Sequence, residues 1–197
     1  MTKPFAPPDG YVSPQELMEH RKFAYADPPY LGQGKRRYGK LHSEAVVYDT
    51  IDGHKKLVER LVDEYPDGWA MSLSSPSLRA ILPLCPSDVR VMAWAKPFAV
   101  FKPGVGLAYT WEPVIIRGGR KITRQERTIK DHLIESITLK KGLCGAKPLR
   151  FCTWVLAALN VKSGDSLDDI FPGTAIMGEA FKAAVDEAQK EARLSTG

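Results

Sequence analysis

An α/β domain on a mostly parallel sheet is the fold class this sequence predicts, and three observations predict it. Short apolar or alternating runs (Phe23–Ala26, Trp69–Ser74, Glu112–Arg117) are separated by stretches with helical spacing (Asp52–Tyr65, Pro148–Asn160). Such alternation implies parallel strands joined by helical crossovers. The composition, 44% hydrophobic and 26% charged over 197 residues, suits one well-buried domain and is short for two. No repeat or low-complexity segment interrupts the chain, so residues 1–197 read as a single domain.

Residues 1–21 read as an arm with Pro4, Pro7 and Pro8, then a helix to about Arg21 that starts at Ser13-Pro14-Gln15-Glu16. Phe23–Ala26 is a short aromatic run bounded by charge, hence a buried strand. Leu31–Lys40 is a loop holding three glycines, with Lys35, Arg36, Arg37 and Lys40 around Tyr38. In Asp52–Tyr65, Leu57, Val58, Leu61 and Val62 form an apolar stripe, with Glu59 and Asp63 on the wet side. Pro66-Asp67-Gly68 turns the chain into Trp69–Ser74. Ser75-Pro76-Ser77 opens a short helix through Leu84, and Val89–Trp94 and Glu112–Arg117 are further strands. Lys96–Tyr109, with Gly104 and Gly106, reads as a long hairpin or flap. Residues 118–146 carry Arg120, Lys121, Arg124, Arg127 and Lys130 without strong periodicity, and read as a short basic insertion. Helix Pro148–Asn160, strand Ser166–Phe171 and helix Ala175–Arg193 complete the series.

Several classes of function are disfavoured. The longest apolar run, Phe151–Val161, is too short to cross a bilayer, and no apolar segment follows the N-terminal charge as a secretory signal would require. The expectation is a cytoplasmic protein with no membrane partner. Cys85, Cys144 and Cys152 cannot all pair and lack metal-site spacing, which suggests structural thiols in a reducing compartment. His20, His42, His54 and His132 show no metal spacing either, so no metal is expected. A net charge of +5 permits a polyanionic partner without demanding one.

Asp27-Pro28-Pro29-Tyr30 follows the first strand directly. Two prolines fix their own φ, lack N–H donors and hold the preceding residue extended. The strand therefore ends with a carboxylate, free carbonyls and an aromatic face at its carboxyl edge, where ligands bind in open α/β sheets. A weakly nucleophilic planar amine needs this set. Asp27 and the Pro28 carbonyl can accept its two hydrogens while Tyr30 stacks on its ring, a contact worth roughly 1–3 kcal/mol. Read alone, the same residues also describe a proline-rich strand exit with a surface tyrosine, the commoner occurrence of such a run. Glu112 at a strand edge reads as either a functional acid or a fold-supporting ion pair. Trp69, Trp94 and Trp154 read as core, and Tyr109 and Trp111 as packing or pocket wall.

Leu167-Asp168-Asp169-Ile170-Phe171-Pro172-Gly173-Thr174 is a second strand-turn-helix junction. Its glycine lets a ligand approach the backbone, and an acid at the strand end can hold a cationic or hydroxyl-bearing group. With Lys147-Pro148 and a helix before it, and Asp27–Tyr30 far upstream, this pattern resembles the S-adenosylmethionine-dependent amino-methyltransferases. The catalytic motif precedes the cofactor motif, which is their circularly permuted order, and aspartate in first position is the adenine-type form. Trp94-Ala95-Lys96-Pro97 and Trp111-Glu112-Pro113 look like later strands of that family. The resemblance covers almost all of residues 20–185. It is nearest to compact, phage-borne DNA adenine methyltransferase-like proteins related to the mRNA adenosine methyltransferases.

The resemblance implies a Rossmann-like methyltransferase domain that binds S-adenosylmethionine and methylates the exocyclic amine of adenine in DNA. Asp27, Pro28, Pro29 and Tyr30 would hold and stack the base. Asp169, Phe171, Pro172, Gly173 and Thr174, with Asp27, would line the cofactor site, and Lys147 would approach the methionine carboxylate. Lys35, Arg36, Arg37 and Lys40 would contact nucleic acid. So would Arg120, Lys121, Arg124 and Arg127, in the position of a target-recognition segment. Two departures stand out. Ala175 replaces the usual second glycine of the cofactor loop, and the expected elements omit the next strand, whose acid usually holds the cofactor ribose. Another segment or a second subunit would then supply that contact, so a homodimer is one expectation. RNA, single-stranded DNA or cytosine are the alternative substrates. A nucleic-acid-binding relative without cofactor is the alternative outside the enzymes.

Overall fold

A computed structural model describes residues 19–34, 43–98, 103–138 and 146–195. Six strands form one sheet: β1 (Lys22–Ala26), β2 (Gly68–Ser72), β3 (Arg90–Ala95), β4 (Trp111–Gly118), β5 (His132–Ile134) and β6 (Ser166–Asp169). Their order across the sheet is β5-β3-β4-β2-β1-β6. The described helices are α1 (Ile51–Glu64), α2 (Ser75–Ile81), α3 (Leu149–Leu159) and α4 (Ile176–Ser195).

β1 lies in the interior of the sheet, and its side chains alternate between two cores. Phe23 and Tyr25 join Trp94, Phe151, Val155 and Leu159 on the α3/α4 face. Ala24 and Ala26 join Trp69, Met71, Leu57 and Leu61 on the α1/α2 face. Burial on both faces explains why the strand reads as a continuous apolar run rather than an alternating one. Each large side chain fully buried here contributes roughly 1.5–3 kcal/mol.

β1 pairs parallel with β2 and β6, and β3 parallel with β5. The sheet is thus mostly parallel, as expected, and the exception is β4, which is antiparallel to both β2 and β3. The reason is the connection. β3 and β4 pair as the arms of the expected hairpin, the Lys96 N–H donating to the Thr110 carbonyl at 2.7 Å just beyond them, and a hairpin reverses direction where a helical crossover would not.

Helix boundaries follow capping chemistry. Thr50 caps α1, its Oγ1 accepting from the Gly53 N–H at 3.1 Å. α2 begins at Ser75, one residue earlier than its sequence suggested, with Ser74 as cap and Pro76 in the first turn. α3 ends on Asn160 in the left-handed conformation, φ 53°.

Of the helix expected over residues 13–21, residues 13–18 lie outside the described residues, and Glu19–Arg21 are not helical. The basic insertion contains a strand that the sequence did not reveal. β5 has three residues and only Leu133 is half-buried, too little for a period to register. Among the described residues no helix is long and apolar enough to cross a membrane.

Candidate active site

The carboxyl ends of β1 and β6 lie side by side, Tyr25 opposite Asp169. That register brings Asp27–Tyr30 and Asp169–Thr174, 142 residues apart in the chain by their first members, to one edge of the sheet. Lys147, just before α3, arrives there from the opposite half of the sequence. Beneath it Phe151 packs against Tyr25, Trp94 and Trp154, with ring centroids at 6.3, 5.1 and 5.9 Å.

The Lys147 ammonium is 3.0 Å from Asp27 Oδ1, 3.1 Å from Glu112 Oε2 and 2.9 Å from the Tyr30 hydroxyl. The Tyr30 hydroxyl in turn donates to Glu112 Oε2 at 2.7 Å. Lys96 pairs with Glu112 Oε1 and lies 4.8 Å from the centroid of the Trp94 ring. The rings of Tyr30, Trp94 and Phe151 surround Lys147 at 5.4, 5.6 and 5.7 Å. Two cations and two carboxylates thus form a compact, charge-balanced cluster.

Burial disfavours the Glu112 carboxylate, but Lys147, Lys96 and the Tyr30 hydroxyl outweigh it and hold the group at about 2. Burial likewise works against the Lys147 charge, and Asp27 and Glu112 more than restore it, so Lys147 is a permanent cation. For Asp27 burial dominates and raises its carboxyl above the usual range, against the pull of Lys147. Asp169 is pushed up to about 6 by burial, with the Phe171 N–H opposing and the Asp27 charge adding. Cys85 and Cys152 are free thiols raised by burial to about 11 and about 12, which fits structural cysteines; Cys144 lies outside the described residues.

Asp169 Oδ1 is buried without a hydrogen-bond partner, an acceptor awaiting a donor. Gly173, at φ +38°, leaves open space where a Cβ would stand, its nearest neighbour the Phe171 carbonyl at 3.6 Å. Ala175, where a glycine was expected, holds φ 57°, a left-handed conformation costing roughly 1–2 kcal/mol outside glycine. The backbone path is therefore the one glycine would take, kept at a cost. Phe171 is fixed edge-on to Tyr48, ring centroids 5.0 Å apart, and Thr174 is half-buried while Pro172 and Gly173 are exposed. An acceptor for an ammonium, an open backbone turn and a nearby lysine fit an amino-acid-bearing cofactor.

Other expected contacts are rearranged. Arg120 is buried and pairs with Asp165 at 2.6 Å, so it is unavailable to a phosphate. Gly118 pairs with Gly68 at the start of β2, so β4 delivers the insertion to the sheet edge opposite Asp27. Asn160 Nδ2 donates to the Lys121 carbonyl at 3.3 Å and Lys162 pairs with Glu126, which keeps Lys121, Arg124 and Arg127, though exposed, at that far edge. Lys35, Arg36, Arg37 and Lys40 lie outside the described residues. Tyr109 and Trp111 are exposed, as are Phe98 and Leu107, leaving the hairpin rim open beside the site. Glu112 and Lys96 complete the cluster, and only their place in Trp111-Glu112-Pro113 and Trp94-Ala95-Lys96-Pro97 hinted at it. Among the described residues no cluster of histidine, cysteine or acidic groups could hold a metal ion.

No family model matches this sequence, and no curated protein matches it. Solved structures do. The crystal structure of M1.HpyAVI in complex with SAM superimposes with a TM-score of 0.52 at 16% identity, covering 86% of this chain and 82% of that one. The crystal structure of M1.HpyAVI superimposes at 0.51 with 13% identity, covering 84% and 77%. Likeness at this identity is one of fold: the chain has the Rossmann-like α/β fold of these structures.

Proposed function

We propose that this chain is an S-adenosylmethionine-dependent DNA methyltransferase acting on the exocyclic amine of adenine. The observation that carries the reading is the register of β1 against β6, which sets Asp27-Pro28-Pro29-Tyr30 beside the open Asp169–Thr174 turn. That M1.HpyAVI is solved with SAM on the same fold supports the cofactor.

S-adenosylmethionine supplies a methyl group already activated on a sulfonium, so the protein's work is placement, worth roughly 7–11 kcal/mol when geometry is right. Asp169 and Lys147 would hold the amino and carboxylate groups of the cofactor, with Gly173 admitting it to the backbone. Asp27 and the Pro28 carbonyl would accept the two amine hydrogens and turn the nitrogen lone pair toward the methyl, and Tyr30 would stack on the base. Asp27 would also take the proton that the amine must lose on methylation. In duplex DNA the base would first leave the stack. The cations of Lys35, Arg36, Arg37 and Lys40, next in sequence after the Tyr30 turn, are our candidates for phosphate contacts. Transfer of labelled methyl to adenine-containing DNA, with single strands, RNA and adenine-free DNA in parallel, tests the reading. Label in RNA alone would replace the substrate, and label in none would remove the enzyme.

A further inference from the structure

Lys147 has three N–H donors, and all three are spent inside the chain, on Asp27, Tyr30 and Glu112. A fourth acceptor can enter only if one of these is released. Glu112 is held independently, by Lys96 at one oxygen and the Tyr30 hydroxyl at the other, so it stays neutralised whatever Lys147 does. Asp27 differs. Among the described residues its ion pair is with Lys147, and it follows by two residues Tyr25, which lies opposite Asp169 in the β1–β6 register. A ligand seated against Asp169 therefore meets Asp27 first.

Resting on the reading above, we propose that Lys147 and Asp27 exchange partners when both ligands are present. The cofactor carboxylate takes Asp27's place on Lys147, and the target amine takes Lys147's place on Asp27. The cofactor alone leaves the buried Asp27 carboxylate without its partner, and the base alone takes from Lys147 one of its two carboxylates, whereas the two together restore every pairing. Cofactor and base then bind with positive cooperativity, and the coupling is reciprocal. Glu112 is the pivot. Pinned by Lys96 and Tyr30, it keeps the Lys147 ammonium in the cluster while the lysine stem turns. The exchange also guards the reaction, because Asp27 is freed only when a methyl donor is in place.

The test is equilibrium binding, independent of turnover. S-adenosylhomocysteine is titrated calorimetrically into the full chain, alone and with a saturating single-stranded oligodeoxynucleotide containing adenine. A matched oligonucleotide carries purine, which has hydrogen in place of the amine, and 5′-methylthioadenosine replaces the cofactor product as a ligand without the carboxylate. The adenine oligonucleotide should tighten S-adenosylhomocysteine at least about five-fold, the lower end of typical coupling. The purine oligonucleotide should not, and methylthioadenosine should show no coupling. Lys147→Met, its fold checked by circular dichroism, should erase the effect. Equal tightening by purine, coupling with methylthioadenosine, or uncoupled binding of S-adenosylhomocysteine would each overturn the exchange and leave the methyltransferase reading intact. No binding of S-adenosylhomocysteine at millimolar concentration would remove both.

Discussion

Two buried ionic clusters sit at opposite ends of the sheet, and they are built differently. At the amino edge Arg120 and Asp165 pair at 2.6 Å, with side chains 1% and 0% exposed. Asp165 also accepts the backbone N–H groups of Arg21 at 2.9 Å and Lys162 at 2.7 Å, and Arg120 reaches the Glu19 carbonyl at 2.8 Å. This pair is stitched to backbone on both sides of the β1–β6 seam. At the carboxyl edge the Lys147 ammonium spends its hydrogen bonds, among the described residues, on side chains from the β1 exit and β4. A charge tied to backbone is fixed with the fold. A charge held only by side chains can trade one acceptor for another of like strength, and that is what a site requires.

The contrast is broken most severely at the amino edge. Removing one partner of a buried pair typically costs 3–5 kcal/mol, since the survivor is stranded. Asp165→Ala also orphans two backbone donors, so a loss of about 4 kcal/mol or more in denaturant unfolding is expected. A loss below about 1 kcal/mol would mean that the seam does not depend on this pair.

Asp27→Ala should act the other way round, on chemistry rather than on the fold. Lys147 keeps Glu112 and Tyr30, so no charge is stranded and the unfolding midpoint should hardly move. Methyl transfer should fall by about a hundredfold or more, because misplacing the amine alone costs that much. Affinity for S-adenosylhomocysteine should be kept or improved, since Lys147 gains a free donor. Full activity in this variant would remove the proposed role of Asp27.

A third difference is in pH response. Asp169, raised to about 6, must ionise to accept an ammonium. Its shift costs the free chain stability as pH rises from the ordinary carboxylate range through 6, a cost that a bound ammonium recovers. Affinity for S-adenosylhomocysteine should therefore be flat above about pH 6.5 and fall up to tenfold per unit below about 6. Glu112, near 2, is ionised throughout this window. Asp169→Asn should abolish the slope; a slope that survives would assign it to Asp27, which is also raised.

The two ends of the sheet were unequally legible in the sequence. At the carboxyl edge the signals are local. Asp27-Pro28-Pro29-Tyr30 and Asp169–Gly173 each state a strand exit, a turn and a functional group within a few residues. Their neighbourhood needed only parallel pairing of two strands, which the alternation of elements already implied. Arg120 was misread because its meaning is not local: within a run of cations it looks solvated, and its partner lies 45 residues downstream. Glu112 escaped a definite role for the same reason, since a strand-edge acid says nothing of the two lysines that converge on it. β5 escaped because three mostly exposed residues carry no period.

The smallest expected effect is at Tyr30, and it separates the two things that residue does. Stacking needs only the ring face, and on that ground Tyr30→Phe should be silent. The structure adds a second function, because the hydroxyl donates to Glu112 at 2.7 Å and accepts from Lys147 at 2.9 Å. Removing it deletes one acceptor of the Lys147 ammonium and one donor to Glu112. Hydrogen bonds to charged groups contribute roughly 1.5–3 kcal/mol, but Glu112 retains both lysines and the edge is partly open to water, so about 1 kcal/mol is the expected net change. That corresponds to roughly five-fold in methyl transfer. The fall should lie in kcat rather than in affinity for the base, since the ring face is unchanged while the anchor of Lys147 is loosened. Tyr30→Ala, losing both, should weaken base binding as well, by a further 1–3 kcal/mol. If Tyr30→Phe instead lost base affinity and kept kcat, the hydroxyl would belong to base recognition, and the Glu112 pivot would no longer be needed.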